Sequence, residues 1–532
     1  FSAPTQVVPI LMIGLGVDYA IHLISRYREE VGEGASVDDA MSISMKTSGV
    51  ALVLATLTTV IGFLTNLANP VPALSDFGIL AAIGILFSFL LMMTFVPALR
   101  VLLDRRAERN GRLPVDALAS HGQRILPQIM GRTAVIAERL PYLALGAALI
   151  LGGLGYYGLT QLETRFSFTD FLPEDAPAVQ TLDILENEFD GGFGEQTQVL
   201  LEAPEGTDLA EGRFWNLMVE ANGDLGAVET VFSFDTQIGP VPDASSPVSV
   251  LQQAFAEGPT SAPPAVLMAA QEVGLSPDLT VPDDSSVAPL YAALSEAMPE
   301  ELAAVTHFDG DTLQAVLFDI RTSAGEMEVD DLRADLDRVF APFEEAGVAA
   351  IATSQNIVSD VVVNELTNSQ SWSLLLTLAA AGVVLVLFFL IQNRRPFLGV
   401  ITIFPVVLVV MWTYGLMYVT GIPFGPVTAT LAALAIGIGV PYTIHLARRF
   451  EEDRLEMESI EEAIRSTTTH TGGALAGSAF TTMAGFGILI TSSLVPFKQM
   501  GQVTVFAIGL SLVAAILVLP SMLVLWERWH RR

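Results

Sequence analysis

The sequence contains no cysteine, which excludes disulfides, thiolate metal sites and cysteine nucleophiles. Lysine occurs only as Lys46 and Lys498. Neither sits in a glycine-rich context, and no Gly-x-x-x-x-Gly-Lys-Ser/Thr loop occurs. ATP is therefore not the energy source within this chain. His-Glu-x-x-His patterns and nucleophile elbows are also missing, so neither a metal nor an enzymatic reaction is expected. No signal-peptide pattern opens the chain. It begins with "FSAPTQ", directly before an apolar run, which reads as a start partway through a longer protein.

What the sequence has in excess is apolar length. Hydrophobic residues make up 51% of the 532 positions, and the mean hydropathy is +0.52. Nine runs are long enough to cross roughly 30 Å of hydrocarbon: 5–25, 48–68, 78–101, 140–160, 372–392, 398–419, 427–447, 472–492 and 501–525. The fold class expected is a polytopic α-helical membrane protein.

Charge divides the chain differently. Segment 161–369 carries 39 acidic residues against 5 arginines and no lysine, although the whole chain has a net charge of only −32. An acidic, water-facing domain therefore interrupts a near-neutral membrane part. Such a domain suits a halophile, where salt screens self-repulsion, or an ordinary cell. Its charge excludes nucleic acid as a partner.

The arginines cluster in alternate loops: Arg26 and Arg28; Arg100 through Arg139; Arg394 and Arg395; Arg448 through Arg465; and Arg528 onward. By the positive-inside rule these loops face the cytoplasm. The acidic domain then lies outside the cytoplasmic membrane and the C-terminus inside, with Trp526 and Trp529 at the inner boundary.

Residues 1–104 align without a gap on 424–527 at an offset of 423. "IGLGVDYAIHL" (13–23) matches "IGIGVPYTIHL" (436–446), and Thr58-Thr59 matches Thr481-Thr482. Chance does not keep register over a hundred residues, so the membrane part is a parallel internal repeat.

Gly14 to Asp18-Tyr19 with the following "AIHLISRYREE", the "TTVIGF" helix at 58–63 and the segment "FSFTDFLPEDAPAVQTLDILENEFDGG" at 166–192 resemble the resistance–nodulation–cell division superfamily. Within it, the closest likeness is to the MMPL-type exporters related to Patched-like sterol-sensing proteins. The resemblance implies twelve spans in the full-length protein, of which this chain holds the portion from the fourth onward. Helices four to six would occupy 1–104, a cytoplasmic linker 105–139, helix seven 140–160, an extracytoplasmic ferredoxin-like porter domain 161–369, and helices eight to twelve 370–532. Strands are expected at 196–203, 227–234, 313–320 and 347–354, and helices at 209–222 and 329–346. Stretch 240–305 reads as a helical and loop insertion, either a flap or, preferably, a solvated excursion.

A carboxylate at the centre of a membrane helix costs about 2.5–3.5 kcal/mol on insertion scales. Asp18 occupies such a position, and the resemblance makes it the proton-relay residue. The second repeat has Pro441-Tyr442 where the family carries a second Asp-Tyr. The candidate relay is therefore one carboxylate with the hydroxyls of Tyr19, Tyr442, Thr481 and Thr482 and the imidazoles of His22 and His445. Both histidines could instead cap the polar ends of their helices, and His470 is a further candidate. Gly14, Gly16, Gly437 and Gly439 read as close-packing positions or hinges, and Pro441 as a kink. The expected function is gradient-driven export of lipid, isoprenoid or drug-like molecules, coupled to protons or sodium with no other cofactor. A non-transporting sterol-sensing-like protein and a motor for protein translocation are the alternatives. Membrane lipids are the remaining partners, and homo-oligomerisation is left open.

Overall fold

A computed structural model of the chain describes residues 4–69, 72–113, 125–164, 194–236, 239–255, 262–324 and 328–530, with scattered positions between 172 and 184. Most of the quoted segment 166–192 lies outside the described residues, as do Phe1, Arg124, Arg531 and Arg532. The chain divides into two compact units, Phe1–Asp175 with Val363–Arg532, and Ala176–Val362.

The first unit is helical. It contains α1 (Val8–Gly32), α2 (Val37–Lys46), α3 (Ser48–Leu64), α4 (Pro72–Arg109), α5 (Ile125–Arg139) and α6 (Pro141–Thr160). Among the described residues, nine helical segments are long and apolar enough to cross a membrane, as the sequence predicts. The helix boundaries follow local chemistry. Proline occupies the first turn of α1 and of α6, where its missing N–H is no loss. Ser36 caps α2 by accepting from the Asp39 N–H at 3.2 Å. Along α4, Ile83, Phe87 and Leu91 are exposed, an apolar face suited to lipid rather than water. Part of the segment expected as a linker is the helix α5. It lies so close to Thr469 that a Cβ on Gly131 would come within 2.4 Å of its Oγ1.

The second unit contains β1 (Glu195–Glu202), α7 (Gly212–Leu225), β2 (Ser233–Thr236), β3 (Gly239–Pro242), β4 (Ala244–Ser245), β5 (Thr306–Asp309), β6 (Thr312–Thr322), α8 (Val329–Glu345) and β7 (Ala349–Thr353). The main sheet runs β4-β6-β1-β7, with β5 beside β6, and all its pairings are antiparallel. Thr197, Val199 and Leu201 point to one face of β1 and are buried, while Gln196, Gln198, Leu200 and Glu202 are exposed. That period of two is the mark of a sheet covered on one side. Phe214, Trp215, Phe318, Phe340 and Phe343 fill the core beneath it.

Two expectations need correction. Residues 227–230 form turns closed by Val228 N–H to Leu225 O and Val231 N–H to Val228 O; Val231 then bridges Thr322, and the continuous strand begins at Ser233. Stretch 240–305 is not a solvated excursion. It folds into helices Pro247–Ala254, Pro264–Glu272, Ala288–Ala297 and Pro299–Val305. Val248, Leu251, Val266, Leu290, Tyr291 and Leu294 enter the common core from it. Its proline and serine content marks helix starts, as at Ser246-Pro247, where a capping box forms.

Returning to the membrane unit, the chain continues as α9 (Gln355–Asn393), α10 (Pro396–Thr420), α11 (Leu431–Glu456), α12 (Ile460–Gly487), α13 (Val495–Val513) and α14 (Leu519–His530). A Cβ on Gly155 of α6 would lie 2.2 Å from the Met411 carbonyl, and one on Gly415 2.7 Å from the Gly155 Cα. The backbones of α6 and α10 thus meet through glycine, as small residues allow in membrane bundles. The most apolar stretch of α11 is wholly buried. Trp529 is exposed, while Trp526 is buried with the Arg395 guanidinium 5.6 Å above its ring.

The repeat persists in the packing. Gly16 faces Ser88 Oγ, and its mate Gly439 faces Ser511 Oγ. Gly14 contacts Thr482 and Phe486, and Gly437 contacts the matching Thr59 and Phe63. Even the caps correspond, since Ser459 accepts from the Glu462 N–H as Ser36 does from Asp39.

Candidate functional site

The two central helices, α1 and α11, carry the charged and aromatic groups that face each other between the repeats. Asp18 is 3% exposed, among the most deeply enclosed carboxylates of the membrane unit. Ser478 of α12 donates to its Oδ1, and Tyr442 of α11 is buried. His22 lies one turn along α1, with Nε2 3.2 Å from Asp18 Oδ1.

His22 and His445 stack face to face, with ring centroids 4.1 Å apart and planes 11° from parallel. Because the two are repeat mates, the stack marks the axis relating the halves. Two imidazolium charges at that distance repel by about 4 kcal/mol at an effective dielectric constant near 20. His445 Nε2 is buried without a hydrogen-bond partner among the described residues.

Both imidazoles open onto a cleft of about 150 Å³ lined further by Arg26, Glu29, Arg449 and Glu452. Ion pairs cross its mouth. Arg449 donates twice to Glu29, at 2.7 and 3.3 Å, and its Nε lies 2.8 Å from Asp453. Arg26 reaches Glu29 at 3.0 Å and Glu30 at 2.6 Å. His470 stands 3.7 Å from Glu29, at the rim rather than at the carboxylate. An enclosed carboxylate, an imidazole pair and a polar cleft form a continuous row of groups able to hold a proton.

The structure does not gather every sequence candidate around Asp18. Tyr19 turns towards its own repeat, with its ring edge-on to Phe89 at 5.7 Å. Thr481 is exposed, and its hydroxyl returns to the Ser478 carbonyl at 2.8 Å. Thr482 Oγ1 faces the Gly14 carbonyl at 3.5 Å. Ser478 is the hydroxyl the sequence reading missed. A signal existed: at the offset of 423, Ser478 falls on Ala55 and Asp18 on Pro441, so the two polar partners are lost together. Among the described residues no cluster of three or more acidic, histidine or cysteine side chains fits a metal ion.

Comparison with known proteins agrees with this architecture. The model of the MMPL family matches residues 3–127 and 170–532. A membrane protein of Methanocaldococcus jannaschii, MJ1562, is 24% identical over 76% of this chain and 95% of its own length. The heme uptake protein MmpL11 of Mycobacterium tuberculosis is 22% identical over 99% of this chain and 48% of its own. The chain thus spans about half the length of that relative. Among solved structures, the hedgehog release protein Disp of the water bear Hypsibius dujardini aligns with a TM-score of 0.68 at 15% identity, covering 99% of this chain and 64% of that one.

Proposed function

Because the chain belongs to the MMPL family, we propose that it is a multi-pass secondary-active exporter of hydrophobic or amphiphilic molecules, driven by protonation and deprotonation of Asp18. The observation that carries this reading is the placement of Asp18. It is enclosed between the repeats, tied to α12 through Ser478, and 3.2 Å from an imidazole pair that opens onto a polar cleft. Protonation removes the charge that holds Ser478. The equilibrium between two packings of the repeats then moves with the proton gradient.

By the positive-inside rule the arginine-rich end with its cleft faces the cytoplasm, and the acidic sheet domain lies outside as the porter domain. Its antiparallel sheet with α7 and α8 supports a ferredoxin-like arrangement. MmpL11 is named for heme uptake, a flat amphiphile, which supports a cargo of that class while leaving direction to the assay. The pairing of Pro441 with Ala55, both apolar, favours the second reading, a lipid-binding regulator that moves nothing.

The test is the full-length protein in liposomes under an imposed pH gradient, with movement of an amphiphilic dye followed for wild type and Asp18→Asn. Gradient-driven transport lost in the variant is expected. Transport that follows sodium and ignores pH would make sodium the coupling ion. Dye binding without transport in either protein would establish the regulator.

A further inference from the structure

On the reading that Asp18 takes up and releases a proton, we infer that this event moves one helix seam only. The seam of α1 and α12, joined by Asp18 and Ser478, is mobile, and its repeat mate, the seam of α11 and α3, is fixed by Pro441 and Thr59. The two seams are built from corresponding residues and differ in few of them, so each serves as the control for the other.

Proline has no N–H and cannot bond the carbonyl four residues earlier. For Pro441 that carbonyl belongs to Gly437. The structure supplies a donor from the neighbouring helix: Thr59 Oγ1 lies 2.9 Å from Gly437 O and 2.8 Å from Ala55 O of its own helix, so its proton is shared between the two carbonyls. The corresponding contact in the other seam, Thr482 Oγ1 to Gly14 O, is stretched to 3.5 Å. There α1 continues as regular helix through Asp18, so the Gly14 carbonyl already has the Asp18 N–H. The proline thus creates an orphan acceptor inside the bundle, and α3 is pinned to it because a buried carbonyl is rarely left unpaired.

Polar chemistry is distributed the opposite way. Asp18 and Ser478 bridge α1 and α12, and their mates Pro441 and Ala55 are buried and apolar. The titratable groups facing Asp18 are His22 on its own helix and Tyr442 and His445 on α11, with Tyr19 turned away towards Phe89, while α12 presents the Ser478 hydroxyl. A change of charge on Asp18 is therefore felt on α12 through Ser478 alone. On α3 the pinning bond involves no group that titrates. Ser478 is accordingly a positioning residue and Thr59 a pivot.

The chain is free of cysteine, so matched thiol pairs report on each seam without background. One protein carries Gly14→Cys with Phe486→Cys, and the other Gly437→Cys with Phe63→Cys, which leaves Thr59 in place; a Cβ on each glycine would meet the paired ring at 3.2 and 3.4 Å. Copper-phenanthroline oxidation of the α1–α12 pair, divided at each pH by that of the same pair in Asp18→Asn to cancel thiol ionisation, is expected to change at least about fivefold between about pH 5.5 and pH 8.5. The same ratio for the α3–α11 pair should change less than about twofold. Equal pH dependence in both seams, or dependence in α3–α11 alone, would overturn the inference.

Single substitutions test the same claim should a cysteine pair fail to fold. Ser478→Ala should lower gradient-driven transport at least about tenfold, with rescue by Ser478→Thr, whereas Ala55→Ser should leave it within about twofold. Equal effects of Ser478→Ala and Ala55→Ser, or no rescue by threonine, count against it. A pH-dependent α1–α12 seam in a protein that shows no gradient-driven transport would sink the exporter reading and leave this inference standing.

Discussion

A transporter with one titrating carboxylate between its repeats can extract only a limited driving force from a gradient. The second repeat places the apolar Pro441 at the position that mates with Asp18. One elementary charge crossing 100 mV releases about 2.3 kcal/mol. At room temperature this supports a cargo concentration ratio of about 50, and each unit of pH difference adds a factor of about ten. The perturbation is a potassium-diffusion potential of about 100 mV, clamped in liposomes holding the full-length protein, with equal pH on both sides. The assay is the steady-state ratio of an uncharged amphiphilic dye between lumen and medium. The expected ratio is at most about 50, falling to about 1 in Asp18→Asn. A ratio approaching the square of 50 would require two charges per cycle and refute the single-carboxylate reasoning. A ratio unchanged in the variant would remove Asp18 from coupling altogether.

Other expectations concern the scaffold. Gly155→Ala pushes a methyl group to 2.2 Å from the Met411 carbonyl and should destabilise the protein by about 1–3 kcal/mol in thermal unfolding in detergent. Gly153→Ala, whose Cβ meets nothing within 4 Å, should stay within about 0.5 kcal/mol. Arg449→Ala strips its cation from Asp453, which is 2% exposed, and should cost about 2–4 kcal/mol, against less than about 1 kcal/mol for Arg213→Ala in an exposed pair. Asp319 in β6 has a buried Oδ1 without a partner among the described residues, and burial raises its carboxyl. A raised folded-state value means that the stabilisation is present in acid and lost as pH climbs through that value. Asp319→Asn should therefore raise the unfolding temperature at neutral pH, with the gain vanishing near about pH 3. An acidic domain adapted to concentrated salt should unfold at higher temperature as potassium chloride rises from about 0.1 to 1 M; an unchanged midpoint would point to an ordinary cell.

The membrane part was legible because bilayer thickness imposes a long, one-dimensional signal. Nine apolar runs and a gapless repeat survive any uncertainty about packing. The strands at Glu195–Glu202 and Thr312–Thr322 were legible because one sheet face is buried and the other wet. Segment 227–234 has the right residues for a strand, but the end of α7 takes its N–H groups into turns first. In 240–305 small and polar residues hid a core contribution, because Leu251, Val266 and Leu294 come from separate short helices whose common face no single window displays.

The site was half legible for a reason that bears on how it works. Asp18 announces itself, since a charge in hydrocarbon needs a purpose. Its partner does not, because serines and threonines abound in membrane helices and most return their hydroxyls to their own backbone, as Thr481 does at the Ser478 carbonyl. Periodicity cannot separate the few hydroxyls that leave their helix, as those of Ser478 and Thr59 do, from those that stay. The duplication can. Each half records what the shared scaffold requires, so a position that differs between halves is free of that requirement. Gly14, Gly16 and Thr59 agree with Gly437, Gly439 and Thr482, and they pack the bundle. Asp18 and Ser478 disagree with Pro441 and Ala55, and they meet each other across one seam. Had Pro441 merely replaced a carboxylate no longer needed, Ala55 could have remained a serine at no expense, its hydroxyl satisfied by the carbonyl one turn back as Thr56 is at Leu52. The joint replacement, together with the Thr59 bond to the carbonyl that the proline frees, makes the second seam a part with its own task. The repeat supplies two equivalent hinges, and this sequence converts one of them into a pivot.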